Sequence, residues 1–188
     1  WNEDKSADGE LSLRRYSSLN GLAHLVGYLK YPAKDSAGFY YQENFEGLDG
    51  VEKFFNNILA GQTGRLIIEV DVAGETTSQN TFLQPTNGAD LKLSIDAKLS
   101  NALYGFIKNL AGEVDFEGGA GGLMDVRNGE ILALVSFPEY DQNVLTAGID
   151  KDAFAKILND QRNPFLNRLT AGVYTPGSTV KPFIAAGA

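Results

Sequence analysis

"GLMDVRNGEILALVS", Gly122 to Ser136, holds two apolar runs joined by Asn128-Gly129. Asn-Gly between apolar runs is the strongest short-range hairpin signal, and it predicts a two-residue type I′ turn. Both arms are largely apolar, so the hairpin is expected in a central position buried on two sides. A helix should precede it. Asp96 is placed as its N-cap, and Ala97, Leu99, Ala102, Leu103, Phe106, Ile107 and Leu110 share one face. "GEVDFEGGAGG" then breaks that helix. A helix laid beside an antiparallel hairpin points to an α+β fold with flanking helices.

Upstream, "GLDGVEKFFNNILAG" carries Val51, Phe54, Phe55, Ile58 and Leu59 at helical spacing, with Gly61 placed for a left-handed C-cap. This apolar face is expected to be core. "RLIIEVDVAGET" reads as a strand running into a turn. "TFLQPTNGADLKLSID" reads as a second strand region, with Leu91, Leu93 and Ile95 alternating. "LNGLAHLVGYL" fits a short buried helix or a strand equally well. Downstream, "DKDAFAKILND" should be a short helix with Phe154, Ile157 and Leu158 inward. The Pro/Gly turn near residues 85–90 is the only seam, which gives a first lobe over 1–88 and a second over 89–188.

Composition removes several chemistries. The 188 residues carry a formal charge of −8 with no basic cluster, which argues against nucleic acid and acidic membrane surfaces as partners. There is no cysteine, hence no disulfide, thiolate metal site or cysteine nucleophile. His24 is the only histidine, which disfavours a histidine triad or a multi-histidine metal site and makes His24 a packing residue. No cofactor or metal is expected. Asp125 and Glu130 read as surface charges, and Arg162 and Arg168 as structural. No stretch is long and apolar enough for a membrane span. The chain starts at Trp1 and stops inside an apparent helix, so a processed or excised piece is expected.

"TPGSTVKPF", Thr175 to Phe183, contains Ser178 and Lys181 in an S-x-x-K spacing. With ten serines and ten lysines, chance alone supplies about 0.5 such pairs at ordinary composition. Ser178 could simply cap the helix that opens there, leaving Lys181 a solvated lysine. Alternatively, residues three apart share a helical face, so the amine can reach the hydroxyl and take its proton. A lysine acts as that base only when neutral. From an ordinary value of about 10.4, reaching neutrality at physiological pH takes about 4 kcal/mol. Burial and the positive helix end both push that way, and the serine's own N–H can donate to an oxyanion. S-x-x-K is a known signature of serine acyl-enzymes that bind β-lactams.

The wider sequence supports the second reading. "NPFLNRLTAGVYTPGSTVKPF" resembles the segment around the active-site serine of class B penicillin-binding proteins, especially the elongation-type group. "AGGLMDVRNGEILALVSFPEYDQN" is similar to the hairpin that opens their transpeptidase domain, with its D-x-x-x-G-E-I-L-A-x-V-S pattern, and "LKLSIDAKLSNAL" to the strand and helix before it. "AHLVGY" and "GLDGVEKFFNNILAG…IIEVDVAG" resemble their pedestal, or dimerisation, region. The resemblance covers roughly residues 14–188 in family order.

It implies a pedestal-like lobe followed by the N-terminal part of a β-lactamase-like serine transpeptidase domain. Ser178 would be the acylated nucleophile and Lys181 its proton acceptor. Peptidoglycan stem peptides would be substrates, and β-lactams inhibitors. A glycosyltransferase and a morphogenesis scaffold would be partners. An N-terminal anchor outside this chain would hold the protein at the periplasmic face of the cell membrane. Thr175 and Leu169 stand where the family more often has Pro or Glu and Ala. The family's S-x-N and K-[ST]-G motifs, expected after the serine, cannot be assigned, so the chain alone is expected to form no acyl-enzyme. Two alternatives are a non-catalytic lobe that docks elongation partners, and a class D β-lactamase or β-lactam sensor. The first lobe argues against the latter pair.

Overall fold

The structure is a computed structural model that describes residues 4–5, 12–34, 36, 38, 40–42, 44–146 and 151–187. It is an α+β chain whose described strands form five separate two-stranded antiparallel ladders. The first part contains β1 (Asp4–Lys5), β2 (Ser12–Leu13), α1 (Ala23–Val26), β3 (Leu29–Lys30), β4 (Ala33–Lys34), β5 (Tyr40–Gln42) and β6 (Glu46–Gly47). Next come α2 (Gly50–Phe54), α3 (Asn56–Leu59), β7 (Arg65–Val70) and β8 (Thr76–Leu83). The second part contains α4 (Ala97–Val114), β9 (Gly119–Met124), β10 (Ile131–Phe137), α5 (Gln142–Thr146), α6 (Lys151–Leu158), a 3-10 turn (Gly177–Val180) and α7 (Lys181–Gly187).

The hairpin forms, with Ile131 opposite Met124 and Phe137 opposite Gly119. Its turn is longer than Asn-Gly predicts. Asp125 N–H donates to Glu130 O at 2.8 Å, and Gly129 N–H donates to Asp125 O at 2.8 Å. Asp125 Oδ1 also accepts from Arg127 N at 2.9 Å. Of the two turn residues only Gly129 is left-handed, at φ +78°. A type I′ turn needs both. The Asp125 side chain offers the backbone a local partner that the two-residue turn cannot use, and the longer loop wins.

The expected two-sided burial holds for β10 only. Ala133, Val135, Ser136 and Phe137 are buried, whereas Leu123 and Met124 on β9 are exposed. β9 pairs with β10 alone among the described strands, so its outer edge and one face are open.

Asp96 caps α4 as expected, its Oδ1 accepting from Lys98 N at 2.8 Å and Leu99 N at 3.0 Å. The buried face of α4 differs from the expected one. Ser100, Leu103, Tyr104, Ile107 and Ala111 face the hairpin, with Val135 and Phe137 opposite. Phe106 is 73 % exposed and Leu110 53 %. The reason lies in β9. A Cβ on Gly121 would sit 3.3 Å from Ile107 and 3.4 Å from Leu103, so these two side chains lie against bare backbone. That close approach fixes the helix rotation, and Tyr104 meets Phe137 edge to face at 5.5 Å.

The Val51–Leu59 helix is broken into α2 and α3 at Phe55. Asn56 Oδ1 accepts from Gly47 N at 2.8 Å, which ties the break to β6. Phe54 and Ile58 are exposed, against the expectation of a core stripe, while Val51, Phe55 and Leu59 are half-buried. Gly61 takes φ +65°, as its C-cap position requires. "LNGLAHLVGYL" resolves into one helical turn, α1, and then β3.

β7 forms where expected. Its partner β8 begins at Thr76, earlier than the sequence suggests, and Leu91–Ile95 joins no ladder. Ser94 Oγ donates to Ile131 O at 2.7 Å and Asp96 N–H to Leu132 O at 2.8 Å, which tie this stretch to β10 without a ladder. In α6, Phe154 and Ile157 pack inward, whereas Leu158 is exposed.

Candidate active site at Ser178

Three layers carry Ser178. The lowest is the grip of residues 139–143 on the first lobe. Glu139 accepts from Gly21 N at 2.7 Å and Ala23 N at 3.0 Å, and so satisfies the start of α1. Tyr140 Oη lies 2.6 Å from Asp49 Oδ2, to which it donates, and 3.1 Å from Ala23 O. Gln142 Nε2 donates to Gly27 O. Asn143 Oδ1 accepts from Tyr16 N at 2.9 Å. Burial holds the Glu139 carboxyl and the Tyr140 phenol above their ordinary values. Beside them, burial likewise raises Glu52, against the lowering effect of Arg14 at 2.7 Å.

The middle layer is the segment 163–171. Ser136 Oγ donates to Leu166 O at 3.1 Å and accepts from Arg168 N at 3.0 Å. The buried Arg168 guanidinium donates to Asn163 O at 3.3 Å and to Arg162 O. It crosses the start of β9 where a Cβ on Gly118 would lie 2.4 Å from Nε. His24 reaches this segment from α1, its Nε2 standing 2.8 Å from Pro164 O. The ring is buried and meets Tyr140 edge on at 5.2 Å. Burial lowers the His24 pKa, so the imidazole is neutral. The packing role read for His24 and the structural role read for Arg168 both agree with this arrangement.

The top layer is the turn itself. Gly177 takes φ +57°, a conformation that favours glycine, and starts the 3-10 turn that holds Ser178. Ser178 is not a helix cap: Pro176 occupies that position, and Thr179 Oγ1 bonds Pro176 O instead. Lys181 ends the 3-10 turn and starts α7. Side chains three apart eclipse on a 3-10 turn, so Ser178 and Lys181 project on the same side. Both are exposed.

Neither described cavity reaches them. One, of about 270 Å³, is lined by His24, Phe54, Phe55, Leu134 and Leu169. The other, of about 1130 Å³, lies among Arg14, Tyr16, Glu52, Leu91 and Gln142. Among the described residues no cluster of metal-ligating side chains occurs. The sequence reading did not single out Ser136, Glu139, Tyr140, Gln142 or Asn143. The one signal for the last four is a polar run, "EYDQN", one residue beyond a buried strand.

Comparison with known proteins places this architecture. Residues 9–93 match the family description "Penicillin-binding Protein dimerisation domain", and residues 119–188 match "Penicillin binding protein transpeptidase domain". The peptidoglycan D,D-transpeptidase MrdA of Escherichia coli K12 is 35 % identical over 184 residues, covering 93 % of this chain and 28 % of that protein. MrdA of Acinetobacter baumannii is 34 % identical over 187 residues, covering 95 % of this chain and 26 % of that protein. The Helicobacter pylori penicillin-binding protein PBP2, solved in complex with MreC, superposes with a TM-score of 0.65. It is 31 % identical, over 93 % of this chain and 32 % of that one. The chain belongs to the class B penicillin-binding proteins. It spans less than a third of the length of the curated relatives it matches.

Proposed function

We propose that this chain is the nucleophile-bearing part of a peptidoglycan D,D-transpeptidase. The observation that carries the proposal is the exposed S-x-x-K pair at the junction of the 3-10 turn and α7, in a chain that matches both penicillin-binding domains in family order. Ser178 Oγ attacks the carbonyl of the D-Ala-D-Ala bond, and its proton passes to Lys181 Nζ. The bond breaks, D-Ala leaves with a proton, and an ester to Ser178 remains. The amine of a second stem peptide attacks that ester, forming the cross-link and returning the proton to Ser178. A β-lactam acylates Ser178 in the same way, but its opened ring stays attached.

In this reading residues 1–88 are the pedestal side and 89–188 the start of the catalytic domain. The whole protein works at the periplasmic face of the membrane, held by an anchor outside this chain. Among the described residues no helix is long and apolar enough to cross a membrane. A scaffold partner is supported by the MreC complex of the Helicobacter pylori relative, and the pedestal is the surface assigned to it in this reading. A glycosyltransferase partner follows from the same role in wall synthesis.

The test is labelling of the full-length gene product by a fluorescent penicillin. The label is expected on Ser178 and should be lost in Ser178→Ala. Label on another serine, or full labelling of Ser178→Ala, overturns the assignment.

A further inference from the structure

We infer that His24 is a positioning residue for acylation at Ser178. From the first lobe, it fixes the segment on which the nucleophile turn hangs. The inference rests on Ser178 being the nucleophile.

The chain between Val173 and Gly187 is almost wholly exposed, with Val173 99 % accessible and Phe183 79 %. Its position is therefore set where it is last held, over residues 164–168. Side-chain hydrogen bonds reach it from Ser136 on β10 and from His24 on α1, and Phe165 also stacks on Tyr140 and meets Phe154 edge on. Of these two hydrogen-bonding side chains, His24 comes from the first lobe, 140 residues away in sequence.

The tautomer follows from the partner. Pro164 O can only accept, so Nε2 carries the proton and donates it. Nδ1 is then the bare nitrogen, and it is buried with no hydrogen-bond partner. Buried polar atoms are rarely left in this state. Here the orphan has a consequence. A second proton on Nδ1 would be a buried N–H without an acceptor, so the contact to Pro164 belongs to the neutral ring. The charged or titratable groups facing the ring are Asp49, Arg168 and Tyr140. Asp49 and Arg168 act on it in opposite directions.

The test uses two amides of the same chemistry and different reach, in the full-length gene product. The nitrogen of His24→Gln falls near the place of Nε2 and can still donate to Pro164 O. That of His24→Asn falls near Nδ1 and cannot. The acylation rate constant for a fluorescent penicillin is measured with Ser178→Ala as the blank. His24→Asn is expected to acylate about tenfold more slowly or worse, since small misplacements near the reacting centre are expensive. His24→Gln should stay within about threefold of the parent by the same argument. Equal rates in the two variants overturn the inference. Labelling that persists in Ser178→Ala overturns the nucleophile assignment instead.

A measurement on the unmutated chain covers the case in which a variant does not fold. The ring ¹⁵N shifts of His24 are titrated with acid, while amide exchange is followed and corrected for its intrinsic pH dependence. Residues 165–180 should lose protection as the ring takes its second proton, ahead of the amides of α4. Protection that is unchanged in 165–180, or lost only together with α4, counts against His24.

Discussion

A buried imidazole with one filled nitrogen and one bare one makes a definite demand on pH. The folded pKa of His24 lies below its ordinary value of 6.5 because burial disfavours the cation. Above 6.5 the ring is neutral in both the folded and the unfolded chain and contributes no pH dependence. Below 6.5 the unfolded chain takes up a proton that the folded chain refuses. Stability therefore falls from about pH 6.5 down to the folded pKa and then levels off. The expected outcome is a urea midpoint of the 188-residue chain that, between pH 7 and 5, falls relative to that of His24→Gln. Glu52 and Glu139 act in the opposite sense. Their folded pKa values are raised, so their contribution grows as pH falls through those values and is complete below the ordinary value of 4.5. The difference between parent and His24→Gln isolates the histidine. Ser136 makes the second demand. Ser136→Ala leaves Leu166 O and Arg168 N without their partner in a buried place, a loss of about 1–3 kcal/mol by urea unfolding. Neither demand can be read from composition, because a lone histidine and a strand serine look the same wherever they end up.

At the scale of elements, glycines decide how closely things approach. Gly118 lies under Arg168, and an added Cβ would also meet Phe137 O at 2.6 Å. That atom is backbone and cannot swing aside. Gly118→Ala is expected to cost about 1–3 kcal/mol. Gly105 on α4 meets nothing within 4 Å, so Gly105→Ala should stabilise by about 0.5–1 kcal/mol through helix propensity. The two together, compared by thermal melting, separate close approach from intrinsic preference.

The hairpin and the α4 cap were legible because each depends on neighbours in sequence: apolar runs around Asn128-Gly129, and Asp96 before a periodic stretch. The inward face of α4 was not. Phe106 and Leu110 are as apolar as Leu103 and Ile107, and only the bare backbone of Gly121 across the gap chooses between them. The turn failed for a related reason, since Asp125 bonding Arg127 N is a local competition that the dipeptide rule does not weigh. Ser178 and Lys181 were legible as a pair because three residues of spacing suffice. The supports beneath them were not, because "EYDQN" reads as solvent-facing until its partners over a hundred residues upstream are known.

For the whole molecule, the exposed apolar surface is the leading fact. Phe106, Leu110 and Val114 recur at helical spacing on α4, and both faces of the β7–β8 ribbon expose large apolar side chains, Ile68 and Val70 on one and Ile67 on the other. Patches of this kind mark surfaces that are covered in an assembly or that drive association. The isolated 188-residue chain is expected to bind a hydrophobic dye and to sediment as a concentration-dependent mixture. Replacing Phe106 and Phe82 by Gln should reduce both effects without loss of helix content. The same chain leaves Ser178 and Lys181 in solvent. It should show no penicillin label under conditions where the full-length gene product is labelled, and a stoichiometric label would contradict this.

The contact between His24 and Pro164 also sets a clock. Synthesis proceeds at about 5–20 residues per second, so the 140 residues between them take roughly 7–28 s to appear. Throughout that interval α1 has been made, but the carbonyl its imidazole bonds has not. Glu139, Tyr140 and Gln142, which close on the same helix, come only slightly sooner. The first lobe therefore waits, incompletely assembled, through that interval, and nascent chains stalled before residue 139 should be the ones that proteases cut and chaperones hold.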